Sequence, residues 1–529
     1  MIPNVDPIPS ITTTGSGPLM SRPWWETREF VALMIVIAAL PLLWPPIPPL
    51  VDLLGHMGRY RVELDGARSP ELQRYFSFHW LLAGNLGVDL LVWPLGKLLG
   101  LEPAVKLIVI LIPMMTVAGM LWVAREVHGR LPPTVAFALP FAFGQHFLFG
   151  FVNYALSGAL ALLAFGLWLR LGRIGKTWLR AALFVPISVV VWTSHVFGWG
   201  LLGLLAFSAE SVRQHDRGRG WLRSGPRAAW HCLSLTLPTV LMLAWREKSG
   251  GTSMGWFEPR FKWMWLQGAL RDRWMVWDLS CLALIAAVFL LAVVHPRLTL
   301  SRMLGFTTIV LSIAFVLLPR IIFGSAYADM RLVPYLFAVA MLAIRFKSET
   351  RIQLARPLAF LALAFVIART VSVSASLFIA SQDHQAKFAA LDHIPVGAPV
   401  LSLVGIPCER WPWPLPRNDH IGSMVVTRRL GFANNIWVNP GAALLRVHYA
   451  PAGMYSHDPS ELVRPNACRS RVQSVDVALG RFNRQAFEYV WLVDVPPYDR
   501  KLLSDAALVF RGPGTELYRL RPAAAPPPG

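Results

Sequence analysis

The fold class the sequence predicts is an α-helical polytopic membrane protein with a small C-terminal α/β domain. Three observations predict it. Hydrophobic residues make up 55% of the 529 positions. Charged residues make up 15%, against roughly 25% in soluble chains. The deficit is also uneven. Runs long enough to cross a bilayer, about 20 mostly apolar residues each, recur from Phe30 to Ala380, whereas the sequence after Ser381 has ordinary globular character.

The first run covers residues 29–48. It exceeds the about 7–15 residues of a signal-peptide core, polar sequence precedes it, and no A-x-A-like site closes it. It therefore reads as the first span. Length and apolarity place about eleven spans, near 29–48, 104–124, 132–150, 153–171, 178–194, 195–210, 229–246, 277–294, 303–320, 332–345 and 356–378. The run 178–210 is flanked by basic clusters on both sides, Arg170, Arg173, Lys176 and Arg180 before it and Arg213, Arg217, Arg219, Arg223 and Arg227 after it. Short basic loops favour the cytoplasm. Two helices meeting at Thr193-Ser194-His195 keep both clusters inside, so a hairpin is expected. The N-terminus is then cytoplasmic and the C-terminal domain external.

This topology divides the chain into a cytoplasmic segment 1–28, a transmembrane domain 29–380 with a first external loop 49–103, an external domain 381–521 and a disordered tail 522–529. The net charge of +20 sits mainly in loops between apolar runs and reports topology. No nucleic-acid motif accompanies it. One external segment, 246–273, is nevertheless basic, with Arg246, Lys248, Arg260, Lys262, Arg271 and Arg273. An anionic ligand would account for that excess. Segment 77–103 is apolar but broken by Asn85, Asp89, Pro94 and Lys97, and reads as a helix at the outer surface.

In the C-terminal domain, IPVGAPVLSLVG and YVWLVDVPP have strand character, and LVFRGPGTELYRLRP reads as a hairpin turning at Gly-Pro-Gly. Cys232 and Cys281 lie in apolar runs as packing residues. Cys408 and Cys468 lie in the domain and can pair if it is external. No C-x-x-C spacing supports zinc or redox chemistry.

The richest stretch follows the first span. Asp52, His56, Arg59 and Glu63 recur at helical spacing on one face, and Leu53, Met57, Tyr60 and Leu64 form a neighbouring apolar face. An interfacial helix accounts for that amphipathicity. It does not account for Asp52, two residues past Pro48-Pro49-Leu50 and so at the hydrocarbon boundary, where an ionisable group points to function. On the same side the topology gathers His195 at the hairpin turn, Arg320 at the end of the ninth span, His79 and Asp89, and Arg331 within Tyr327-Ala328-Asp329-Met330-Arg331. Singly, each has an ordinary structural explanation: a lone His is usually hydrogen-bonded scaffold, and an Arg at a span end usually snorkels. Together they suit an anionic, lipid-linked substrate.

At these residues the chain resembles the GT-C superfamily of integral membrane glycosyltransferases. An acid, Asp52, opens the first external loop; interfacial helices precede the second span; GFVNYALSGALALLAFGLWLRLGR (150–173) is similar to the fourth span of bacterial members; and AFEYVWLVDV with LVFRGPGTELYRL resembles their external domain. The resemblance implies sugar transfer, with inversion, from a polyprenyl-phosphate or -pyrophosphate carrier to an envelope glycan, lipid or protein. It implies Asp52 as general base. Arg331, then Arg59 and Arg320, with His56 and His195, become the substrate- and phosphate-binding candidates. The chain departs from many members in having Leu53 where a second acid would follow Asp52, and it lacks the WWDYG signature of transferases acting on Asn sequons. No Asp/His cluster has metal spacing, so no metal ligand is assigned, and a divalent cation is left open. The competing reading is a non-catalytic flippase- or polymerase-like protein handling lipid-linked glycans. Against it, no internal repeat is visible and charge gathers at span ends rather than mid-span.

Overall fold

The structure is a computed structural model that describes residues 22–244, 252–322, 324–347, 352–409, 412–438 and 444–520. Arg246, Lys248, Arg351, most of segment 1–28 and the tail 522–529 lie outside the described residues.

Among the described residues, five helices are long and apolar enough to cross a membrane: Leu101–His128, Val152–Arg173, Thr177–Ser194, Met275–Val294 and the helix that begins near Ala355. Helix Val196–Asp216 follows the third of these. The hairpin forms as expected. His195 is extended (φ −169°, ψ 134°) and ends helix Thr177–Ser194. Its ring then caps the next helix, Nδ1 accepting from the Phe197 amide at 3.1 Å. Arg180 and Glu210, both buried, pair at 3.1 Å. The two flanking basic clusters therefore lie at the same end of the bundle.

The run 132–150 does not form the expected continuous span. It is a 3-10 stretch, Val135–Phe143, and a short helix, Gln145–Leu148. Pro140 has no amide proton to donate, and Gly144 between the two pieces is extended. The segment is buried almost throughout, in the middle of the bundle. The last span is longer than expected: helix Ile352–Phe388 runs on from the membrane part into the C-terminal domain.

Segment 77–103 also differs from a simple surface helix. Phe76–Phe78 pairs antiparallel with Leu445–Val447 of the C-terminal domain. Helix Gly87–Leu99 then buries Asp89 completely.

The C-terminal domain is a mixed sheet in the order Phe432–Ala433, Pro399–Gly405, Tyr489–Val493, Thr515–Leu520, Ala506–Gly512, with Leu462–Val463 also pairing on Pro399–Gly405. Pro399–Gly405 and Tyr489–Val493 are parallel, and every residue of Tyr489–Val493 is buried. That explains its continuous β-branched and aromatic composition. The final two strands form the expected hairpin. Cys408 and Cys468 are disulfide-bonded, with Cα atoms 5.6 Å apart.

The domain is anchored to the membrane part by buried charge. Arg417 donates to Asp272 and to the Pro49 carbonyl. Arg271 donates to the carbonyls of Trp413 (2.7 Å) and Pro412 (2.6 Å). Asp278 accepts from Arg369 (2.7 Å) and from the Trp413 indole (2.9 Å). Two of the six basic residues of 246–273 are thereby explained without a ligand. Arg271 holds the domain, and Lys262 pairs with Asp329 at 2.8 Å.

Candidate functional site

The site lies where the first-loop helix, Leu53–Asp65, meets the C-terminal domain. Asp52 occupies the N-cap position of that helix but makes no side-chain cap. Its backbone is fixed from the end of the broken third segment, 132–150, instead. The Val51 amide donates to the Leu148 carbonyl (3.3 Å) and the Asp52 amide to the Phe149 carbonyl (3.0 Å). Gly150, at φ +84°, lets the chain pass against this backbone: a Cβ there would stand 2.7 Å from the Asp52 nitrogen. The carboxylate is thus free for other work, and its side chain keeps 19% of its surface exposed.

The C-terminal domain brings His420 and Asp419 beside it, with Asp458, Glu461 and Trp437 packed around His420. His420 Nε2 lies 3.7 Å from Asp52 Oδ1. His420 Nδ1 faces the other way, 3.9 Å from Asp458 Oδ1 and 3.9 Å from Glu461 Oε1. Asp419 precedes His420 and is close enough to act on Asp52 through space. Trp437 packs on His420 (ring centroids 4.4 Å) and on His56 (4.9 Å). Gly55 makes room for it, since a Cβ there would meet the indole at 2.5 Å.

The electrostatics follow from burial and like charge. Burial, then Asp419 and Asp458, push the Asp52 carboxyl well above the usual range, while Arg331 pulls it down. Asp419 is pushed up to about 7 by burial and Asp458. Glu461 is raised well above its ordinary value by burial first and then by Asp458. Burial holds His56 well below its ordinary value, helped by Arg59, His420 and Arg331.

The other expected site residues divide. Arg331 is 7% exposed. It approaches His195 Nε2 at 3.1 Å, donates to the Ala326 carbonyl (3.2 Å) and lies over the Phe151 ring at 4.4 Å. So Arg331 and His195 come together, and Arg331 acts electrostatically on Asp52. Arg59 is committed elsewhere, to Asp89 at 2.7 Å. Arg320 lies against Glu258 (3.6 Å) and over the Phe261 ring (4.2 Å). His56 borders the site through Trp437, and its Nδ1 has no hydrogen-bond partner among the described residues.

Asp419, His420, Asp458 and Glu461 were not found in the sequence. Their signal is two short stretches, Asn418-Asp419-His420 and His457-Asp458-Pro459-Ser460-Glu461. Each looks like an ordinary polar turn, and nothing local says that they converge on Asp52.

Fold and site together define a polytopic helical protein, with helices long and apolar enough to cross a membrane and a small mixed-sheet domain that packs over Asp52. Among solved structures the chain is similar to ArnT from Cupriavidus metallidurans in the apo state, with 12% identity and a TM-score of 0.51, covering 93% of this chain and 97% of that one. The structure of ArnT from the same organism bound to undecaprenyl phosphate aligns over the same shares, with 11% identity and a TM-score of 0.48. At this identity the likeness is one of fold. No protein-family model and no curated protein matches the chain.

Proposed function

We propose that the chain is an inverting membrane glycosyltransferase that moves a sugar from a polyprenyl-phosphate or -pyrophosphate carrier to an envelope glycan, lipid or protein acceptor, with Asp52 as general base. The observation that carries this reading is the placement of Asp52. Its carboxylate is mostly buried at the end of the first membrane segment, free of capping duty, with the Arg331 guanidinium acting on it. The GT-C architecture makes that placement meaningful.

The chemistry runs as follows. An acceptor hydroxyl gives its proton to Asp52 as its oxygen attacks the anomeric carbon. The bond from that carbon to the carrier phosphate breaks, and the electron pair leaves with the phosphate. A base with a raised pKa is a stronger proton acceptor at the moment of attack. Arg331 offsets the charge that develops on the leaving phosphate. The disulfide belongs in an oxidising compartment, which supports an external location for the domain and for the site.

The test uses membranes carrying the protein and a panel of radiolabelled polyprenyl-phosphate sugars. Label is expected to move to an envelope acceptor from at least one of them. Transfer from a water-soluble nucleotide sugar and from no lipid-linked one would overturn the proposal.

A further inference from the structure

His420, Asp458 and Glu461 belong to one domain and converge on a single point. Their ligand-type atoms all lie within 4.8 Å of one another. Glu461 is 0% exposed, and the polar groups beside its carboxyl are its own backbone amide and the Asp458 carboxyl. Nδ1 of His420, itself buried, faces both acids and has no hydrogen-bond partner among the described residues. Two acids this close, with an unpartnered imidazole nitrogen beside them, call for a shared proton or a cation between them. A backbone this well fixed does not let the groups relax apart. The Val404 amide donates to the Glu461 carbonyl (2.8 Å), the Asp458 amide to the Ile436 carbonyl (3.1 Å), and the Ser423 amide to the His420 carbonyl (3.1 Å).

We infer that His420 Nδ1, Asp458 and Glu461 bind one divalent transition-metal ion of the Zn2+ or Mn2+ kind, immediately behind Asp52. One imidazole with two carboxylates suits such ions better than an all-oxygen cation such as Ca2+. Metal–ligand bonds of about 2.0–2.2 Å put neighbouring ligand atoms of a tetrahedral site about 3.4 Å apart. The 3.9 Å separations from Nδ1 to both carboxylates, within a set whose atoms all lie within 4.8 Å of one another, close to that value with side-chain shifts of about half an ångström to one and a half ångströms. Metal on Nδ1 also fixes the imidazole tautomer. The remaining proton then sits on Nε2, the nitrogen that faces Asp52 at 3.7 Å. The ion would thereby position the Asp52 carboxylate from the C-terminal domain. That consequence rests on the role proposed for Asp52, whereas the metal site itself does not.

The experiment uses the full-length protein in detergent, stripped with EDTA and dialysed against ZnCl2 or MnCl2, with bound metal counted by mass spectrometry. Wild type is expected to hold one ion per chain and to gain thermal stability from it. Glu461→Gln and His420→Ala are expected to bind at least tenfold more weakly and to lose that gain. If Glu461→Gln does not fold, Asp458→Asn takes its place. Wild type that binds neither ion, or variants that bind as wild type does, would overturn the inference and leave a shared proton to hold the acids together. Because the readout is metal content, its failure is distinct from a failure of sugar transfer.

Discussion

Asp52 owes its standing to what it does not do. An acid at the first residue of a helix ordinarily caps it, yet here the helix start is held by backbone bonds from residues 148 and 149. The sequence showed the anomaly, an acid at the hydrocarbon edge, and showed Arg331 and His195 as charged or polar groups at the same membrane face. It did not show which arginine is free to act. Arg59 shares a helical face with Asp52, but Asp89 takes it, a partner thirty residues away whose burial no periodicity reveals. Arg331→Gln is expected to lower transfer by about 10²–10³-fold, the cost of losing one preorganised donor, with unchanged insertion; transfer near the wild-type rate would remove Arg331 from the site. Glu63 makes a separate prediction. Burial and Asp89, opposed by Arg59, raise its carboxyl from 4.5 to about 9. The folded protein therefore holds a proton there that the unfolded chain releases above about pH 4.5. By linkage, stability falls as pH rises from 4.5 towards 9. Glu63→Gln should flatten that fall and raise the thermal midpoint at pH 8; an unchanged pH profile would contradict it.

One element organises most of the site. Along the stretch 150–157, Gly150 seats the Asp52 backbone, and Asn153 donates to Asp89 (3.0 Å) and to the Asn85 carbonyl (2.9 Å) while accepting from the Val88 amide (2.6 Å). Tyr154 donates to the Arg331 carbonyl (2.7 Å), and Ser157 to the carbonyls of Val191 (2.8 Å) and His195 (3.0 Å). The sequence singled this stretch out by resemblance, but spacing alone could not assign its contacts, because each partner is distant along the chain. Gly150→Ala should shift Asp52, since its Cβ would crowd the Asp52 nitrogen and its φ of +84° disfavours a side chain. Transfer is expected to fall at least tenfold while the protein still inserts and purifies as a monodisperse species; wild-type transfer would show that Asp52 is not held from here. The hairpin at His195 was legible because charge at both ends demanded it. The broken run at 132–150 was not, because an apolar segment buried within a bundle has the same composition as one that faces lipid.

At the scale of the molecule, the C-terminal domain is part of the site rather than an appendage. Its strands were readable from β-branched runs and a Gly-Pro-Gly turn. Its docking was not, because that depends on pairs such as Arg417 with Asp272, which lie 145 positions apart. Removing one partner of a buried pair leaves the other charge stranded, at about 3–5 kcal/mol. Arg417→Leu is therefore expected to loosen the domain, seen as faster proteolysis between the last membrane helix and the domain, and to reduce transfer with it; a protease-resistant variant would contradict this docking. Asp52, placed by the membrane part and packed against the domain, is the proposed base. The measurement that tests it most directly compares Asp52→Asn with wild type, in membranes with equal inserted protein, for transfer from the best polyprenyl-phosphate sugar. The variant, which keeps the side chain's size and loses its basicity, is expected to be slower by about 10²–10⁴-fold. Equal transfer by the two would contradict it.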